Sequence, residues 1–104
     1  MGDAFVVLMQ VHLFFPDSGS LKAKRAELNG VKAHLRQRMG ASVAEVAHQD
    51  SWQRATLAVA VAAGSVGRCE EAADAIARAL DARCPEGVRV ERHVASWSDL
   101  EAVG

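Results

Sequence analysis

The chain has 104 residues, half of them hydrophobic and 24% charged, with twelve Lys and Arg against thirteen Asp and Glu for a formal net charge of −1. That length holds one domain, and the composition is too apolar for intrinsic disorder. Two cysteines cannot build a disulfide scaffold, no run reaches the ~20 apolar residues of a membrane helix, and MGDAFVVLMQ lacks a signal peptide's basic start, so a soluble cytoplasmic protein is expected.

Residues 4 to 15, AFVVLMQVHLFF, alternate. Phe5, Val7, Met9, Val11 and Leu13 fall on one face, and Val6, Leu8, Gln10, His12 and Phe14 on the other. This predicts a strand with one wholly apolar face and one mixed face. Pro16-Asp17-Ser18-Gly19-Ser20 breaks it with turn residues. Ser20 or Ser18 can cap a helix running to about Met39, on which Leu21, Leu28, Val31, Leu35 and Met39 share roughly 80° of arc. Gly40 ends it.

Residues 42–47 and 54–62 read as the second and third strands, joined by HQDSWQ. The third sets Leu57, Val59 and Val61 against Arg54, Thr56, Ala58 and Ala60. A second helix opens at Ala63-Gly64-Ser65 with Ser65 as cap. It buries Cys69, Ala72, Ala73, Ile76, Ala77 and Leu80, and Pro85-Glu86-Gly87 stops it. A last strand over 88–97 points Val88, Val90 and Val94 inward and Arg89, Glu91, His93 and Trp97 outward, leaving SDLEAVG as a frayed tail.

The order βαββαβ predicts an α+β, ferredoxin-like domain. Its four-stranded antiparallel sheet, in order 4-1-3-2, carries two helices on one face. A single domain spans 1–104, with its core over about 4–97 and a tail at 98–104. The uncovered sheet face is mixed, and function or oligomerisation could use it.

Charge is concentrated. Between Ser20 and Met39 lie Lys22, Lys24, Arg25, Lys32, Arg36 and Arg38 against Glu27 alone, a net of +5 that leaves −6 for everything else. Lys22, Arg25, Lys32 and Arg36 fall within ~80° beside the apolar stripe. Such a stripe suits successive phosphates of a nucleic acid, or else it is a solvated face. The loop PDSGSLKAKR could hold an anion at the helix start, although no Walker pattern is present and turn-and-cap use is the simpler reading. Acylphosphatases share the element order, but here the loop offers no arginine before the helix.

The hairpin His48-Gln49-Asp50-Ser51-Trp52-Gln53-Arg54 is the densest polar and aromatic cluster. His48 and Asp50 could do acid–base work, and Trp52 could stack on a base with Arg54 near a phosphate. The structural alternative has Asp50 organising the turn and Trp52 covering the core edge. His12 and His93 share the open face, yet nothing supplies a full metal ligand set. Cys69 and Cys84 sit about 22 Å apart along one helix, beyond disulfide reach, and read as small buried hydrophobes. RNA-recognition domains of this topology stack bases on aromatics of the central strands. Phe14 is available, but Thr56, Ala58 and Ala60 stand where the third strand would need aromatics. They suit close packing against a second sheet.

The strings GSLKAKR and SVAEVAHQDSWQRATLAVAV together resemble the YlxP-like family of small bacterial domains of unknown function. In that pattern SLKxKR opens helix one and SVAEV-x-HQD-x-WQRA forms a hairpin. Here they are Ser20 through Arg25 and Ser42 through Ala55, with Ala23 and Ser51 departing from residues common in the family. The resemblance covers about 4–97. It implies the ferredoxin-like fold, a bacterial origin and a cytoplasmic location. Genes of the family often neighbour those of a translation initiation factor and a ribosome-binding factor, which implies work near the ribosome. The leading expectation is therefore a noncatalytic domain contacting RNA or the ribosome through Lys22, Lys24, Arg25, Lys32 and Arg36, with Trp52 and Arg54 as additions. The second is a structural or ligand-sensing homodimer joined through Val6, Phe14, Ala58 and Ala60 on the open face. No catalytic residue, metal or cofactor is expected.

Overall fold

Alternation along the first strand decides the architecture. In a computed structural model describing residues 3–85 and 87–103, β1 (Phe5–Phe14) buries Val7, Met9, Val11 and Leu13 almost completely and leaves Leu8, Gln10 and Phe14 exposed between them. After it come α1 (Leu21–Met39), β2 (Ser42–Ala47), β3 (Arg54–Ala63), α2 (Val66–Arg83), β4 (Val88–Ser96) and α3 (Trp97–Val103). Met1, Gly2 and Gly104 lie outside the described residues, as does Glu86 of the predicted Pro85-Glu86-Gly87 stop.

The strands make one four-stranded antiparallel sheet in the order β2-β3-β1-β4, which is β4-β1-β3-β2 from its other edge. β1 is central because it is a long strand with a continuous apolar face. It pairs over Phe5–Phe14 with β3 and over Phe5–Leu13 with β4. Leu28, Val31 and Leu35 of α1 and Cys69, Ala73, Ile76 and Leu80 of α2 join the inward residues of β1 and β3 in one core, so α1 and α2 cover the same sheet face. Each buried aliphatic side chain contributes about 1.5–3 kcal/mol.

Both long helices begin on a serine. Ser20 accepts a hydrogen bond from Ala23 N at 3.1 Å, and Ser65 accepts one from Arg68 N at 3.1 Å. The loop before α1 is folded as a cap. Buried Ser18 donates to the Ser20 carbonyl at 3.0 Å, and Gln53 Nε2 donates to the Pro16 carbonyl at 3.0 Å.

The C-terminal segment corrects the sequence reading. In place of a frayed tail, residues 97–103 form α3, so the fold has three helices among the described residues. Ser96 N donates to Asp99 Oδ2 at 2.9 Å and Asp99 N donates to Ser96 Oγ at 3.1 Å, a reciprocal capping box. The Ser96 hydrogen bonds hold the Asp99 carboxyl below its usual range. Trp97 heads this helix and ends the last strand, with its N–H donating to the Ala4 carbonyl at 2.8 Å.

Gly40 ends α1 in the left-handed region at φ 63°, and a Cβ placed there meets nothing within 4 Å. The cost of Gly40→Ala is therefore backbone strain alone, and urea unfolding should show a loss of about 1 kcal/mol, with Gly40→Asn losing less because Asn tolerates this region.

Candidate functional site

The basic helix is bound into the fold where the sequence suggested it was free. Lys24 lies four residues before Leu28 and seven before Val31, so it falls on the inward stripe of α1, and it is 0% exposed. Glu45 is likewise inward. On β2 it lies two residues from Val43 and on the same face, and the two pair with the buried Leu57 and Val59. The two meet with Lys24 Nζ 4.0 Å from Glu45 Oε2, and Lys24 Nζ donates to the His48 carbonyl at 2.9 Å. Arg25 Nη1 donates to both oxygens of the same carboxylate, at 2.8 and 2.9 Å. Burial pushes the Lys24 ammonium below its usual value, opposed by the Glu45 charge.

Further along α1, Arg36 Nη2 donates to the Val43 carbonyl of edge strand β2 at 2.7 Å. Lys24 is thus withdrawn as a phosphate contact, because its ammonium is inside the protein. Arg25, half-exposed, and Arg36, exposed, each tether α1 to β2 while remaining at the surface. Lys22 remains exposed and Lys32 half-exposed, and neither has an ion-pair partner among the described residues.

The hairpin between β2 and β3 follows from this cluster. His48 takes φ 64°, a left-handed backbone for a residue with a side chain, and its carbonyl is the one Lys24 holds. The turn closes through Ser51 N donating to the His48 carbonyl at 3.1 Å and Gln53 N donating to Ser51 Oγ at 3.3 Å. Asp50, expected to organise the turn, makes none of these hydrogen bonds. Trp52, expected to cover the core edge, is 55% exposed, and Arg54 stands exposed at the start of β3 opposite Phe14.

The open sheet face is divided along the strands. Towards the Phe5 end, Val6, Leu8, Ala58, Ala60 and Ala62 share it with Ser42 and Ala44 of β2, and Leu8 is 51% exposed. Leu8, Ser42, Val43, Ala44, Ala58 and Ala60 line an open groove of about 200 Å³, shallow because its floor is alanine. Phe14, the other large apolar residue of β1 on this face, lies at the opposite end, where a Cβ on Gly87 would come within 3.2 Å of its ring.

Towards the Phe14 end the face is polar. His12 Nε2 bonds Glu91 Oε1 at 2.9 Å and His12 Nδ1 bonds Thr56 Oγ1 at 3.3 Å, and the His12 bond holds the Glu91 carboxyl below its usual range. Hydroxyl, imidazole and carboxylate in a row have the order of a hydrolytic relay, but Thr56 is buried at 5% exposure and none of the main clefts includes these residues. His93 pairs in register with Leu8, four residues along β1 from His12, or about 14 Å, too far to share a metal ion. A separate cleft of about 90 Å³ touches Asp17, Glu27, Arg83 and Cys84. Burial pushes the Cys84 thiol up, which keeps it protonated and a poor nucleophile. Cys69 and Cys84 are both free and buried.

The class defined so far is an α+β domain whose open antiparallel sheet leaves one face uncovered and whose first helix is locked to an edge strand by ions. Over residues 6–99 the chain matches the family described as "Protein of unknown function (DUF503)", and it belongs to that family. It is similar to the uncharacterized protein YlxP of Bacillus subtilis (strain 168), at 37% identity over 49 residues. That match covers 47% of this chain and 53% of YlxP, so it spans about half the length of its relative. Among solved structures it is similar to the de novo designed protein Foldit4, with a TM-score of 0.56 at 12% identity, covering 88% of this chain and 96% of the other. That likeness is one of fold. No helix among the described residues is long and apolar enough to cross a membrane.

Removing one partner of a buried ion cluster leaves the other uncompensated. Glu45→Gln should lower stability by about 3 kcal/mol in urea unfolding at neutral pH, because it strands the Lys24 charge. Lys24→Met should cost only about 1–2 kcal/mol, since Arg25 still neutralises Glu45. Below its ordinary value of 10.5 but above its lowered folded value, Lys24 binds its proton more tightly when unfolded. Its contribution to stability therefore rises with pH across that alkaline window, and Lys24→Met should flatten the rise.

Proposed function

We propose that this is a noncatalytic interaction domain that works as a homodimer, pairing its open sheet face with that of a second copy. The observation that carries this reading is the uncovered apolar half of the sheet, where Leu8 stands half-exposed over an alanine floor. A solvated sheet face usually alternates to polar outside, whereas here Val6, Leu8, Ala58 and Ala60 form an apolar patch bordered by the exposed Gln10 and His93. Small side chains let two sheets approach to the ~10 Å of face-to-face packing. The whole face, four strands wide and about 30 Å long, offers roughly 600 Å² per copy, about half of it from the apolar end. Pairing along its full length, polar end included, therefore buries roughly 1,200 Å², the low end for specific interfaces. Two-fold symmetry is the common solution for such a surface.

A second reading, contact with RNA or the ribosome, is supported by the exposed Lys22 and the half-exposed Lys32, together with Arg38, whose side chains α1 does not commit to β2. It draws on fewer cations than the sequence offered, and a net charge of −1 works against strong nonspecific binding.

Sedimentation equilibrium should report a dimer at micromolar concentrations, and Leu8→Glu should convert it to a monomer with unchanged circular dichroism. A wild-type monomer at high micromolar concentration contradicts the homodimer. If the second reading holds instead, the protein will co-sediment with ribosomes at low salt, and Lys22→Gln with Lys32→Gln will lower the slope of log affinity against log salt by about two.

A further inference from the structure

The open face is a grid whose rows are set by the sheet register. One row reads Ser42, Ala60, Leu8 and His93 from the β2 edge to the β4 edge. The next row towards the polar end reads Ala44, Ala58, Gln10 and Glu91, and at the far end Arg54 stands beside Phe14. Leu8 stands half-exposed on one of the two central strands, and the groove beside it runs over the alanines of the other. A knob and a hole on the same row thus lie one strand spacing apart, about 4.8 Å, on either side of the sheet's midline.

We propose that the two-fold axis of the homodimer runs along the strands between β1 and β3, so that Leu8 of each copy seats in the alanine-floored groove of the other. The inference rests on the homodimer reading and fixes how its two sheets are laid together. An axis along the strands keeps every row level and exchanges the two edges. Placed between β1 and β3, the central pair, it lays β1 over the partner's β3 and β4 over the partner's β2. All four strands are then covered, as pairing along the full face requires. Because Leu8 and Ala60 share a row, Leu8 arrives on the partner's Ala60. Area and shape therefore select the same axis. An axis along the strands but over β1 sets Leu8 on Leu8 and leaves β2 uncovered. An axis across the strands at the level of Gln10 lays the apolar end on the polar end and Leu8 on His12. The angle of about 30° between aligned sheets displaces the central pair least.

The polar end fits the same axis. Arg54 of one copy comes opposite Phe14 of the other, a guanidinium against an aromatic ring, twice by symmetry. His12 comes opposite Thr56, and the two are already hydrogen-bonded within their own chain, so covering them strands no polar group. Arg89 and Glu91 are exposed on edge strand β4 and stay at the wet rim. The two Gln10 side chains flank the axis on one level, where their amides can bond to each other.

Ala60→Leu sets leucine against leucine and Leu8→Ala leaves the groove empty, so each should raise the dimer dissociation constant at least tenfold. Mixing the two variants should restore wild-type affinity in the heterodimer, because the leucine introduced in one chain meets the alanine introduced in the other. Cross-linking reads the axis directly. A His93→Cys chain mixed with a Ser42→Cys chain should link across copies under a short bismaleimide, with the native cysteines buried. His93→Cys alone should not link to itself, because the axis sets the two β4 strands at opposite edges, about 14 Å apart sideways. A dimer whose mixed chains do not link, or in which His93→Cys links to itself, overturns this axis and leaves sheet pairing standing. A monomeric wild type removes both.

Discussion

One carboxylate on the inner face of an edge strand organises much of this molecule. Glu45 must be inward because β2 alternates about Val43, and an inward carboxylate requires a cation that comes to it. α1 brings two. Lys24 arrives along the apolar stripe and Arg25 from its margin, where its Nη1 donates to both oxygens. The cluster fixes the helix over β2, sets the left-handed turn at His48 through the Lys24 hydrogen bond, and so aims the β2–β3 hairpin. Buried ion pairs add little net stability, and their attested role is to select one arrangement among several. Here the arrangement selected is α1 against β2.

This cluster also joins the two strings that mark the family resemblance. The Lys24-Arg25 pair closes the first, and Glu45 and His48 lie in the second. Lys24 and Arg25 both pair with Glu45, and Lys24 also donates to the His48 carbonyl, which gives both strings a structural reason. Basic residues that look like a binding stripe are in part a clamp, and the surface left without internal obligation is the far side of the sheet.

Much of the fold is legible in the sequence because the core is regular. Alternation in β1 and β3 and the 3.6-residue spacing of Leu28, Val31 and Leu35 are strong signals that tertiary packing does not override. Lys24 is the exception on α1. Its charge suggests solvent, while its spacing from Leu28 and Val31 places it inward, and position prevails because Glu45, of the same parity as Val43, waits there. α3 carries a signal too, since Ser96-Trp97-Ser98-Asp99 has the spacing of a capping box, but seven residues are too few for a periodic stripe to stand out. Arg92 also points inward, where it meets Glu70 at 3.2 Å and Asp74 at 2.8 Å on α2, in step with the alternation of β4. The left-handed backbone at His48 has no local signal, since a hydrogen bond from 24 residues upstream holds it.

If the working surface is the open sheet face and the inner cations of α1 serve the fold, self-association must be felt on the sheet and not beneath the helix. Methyl-resolved NMR over a dilution series measures this at the residues concerned. Concentration-dependent shifts are predicted at Leu8, Ala44, Ala58 and Ala60, with the Leu28 and Leu35 methyls under α1 unmoved. Shifts that are absent throughout, or that gather along α1 while the sheet face stays fixed, would contradict it.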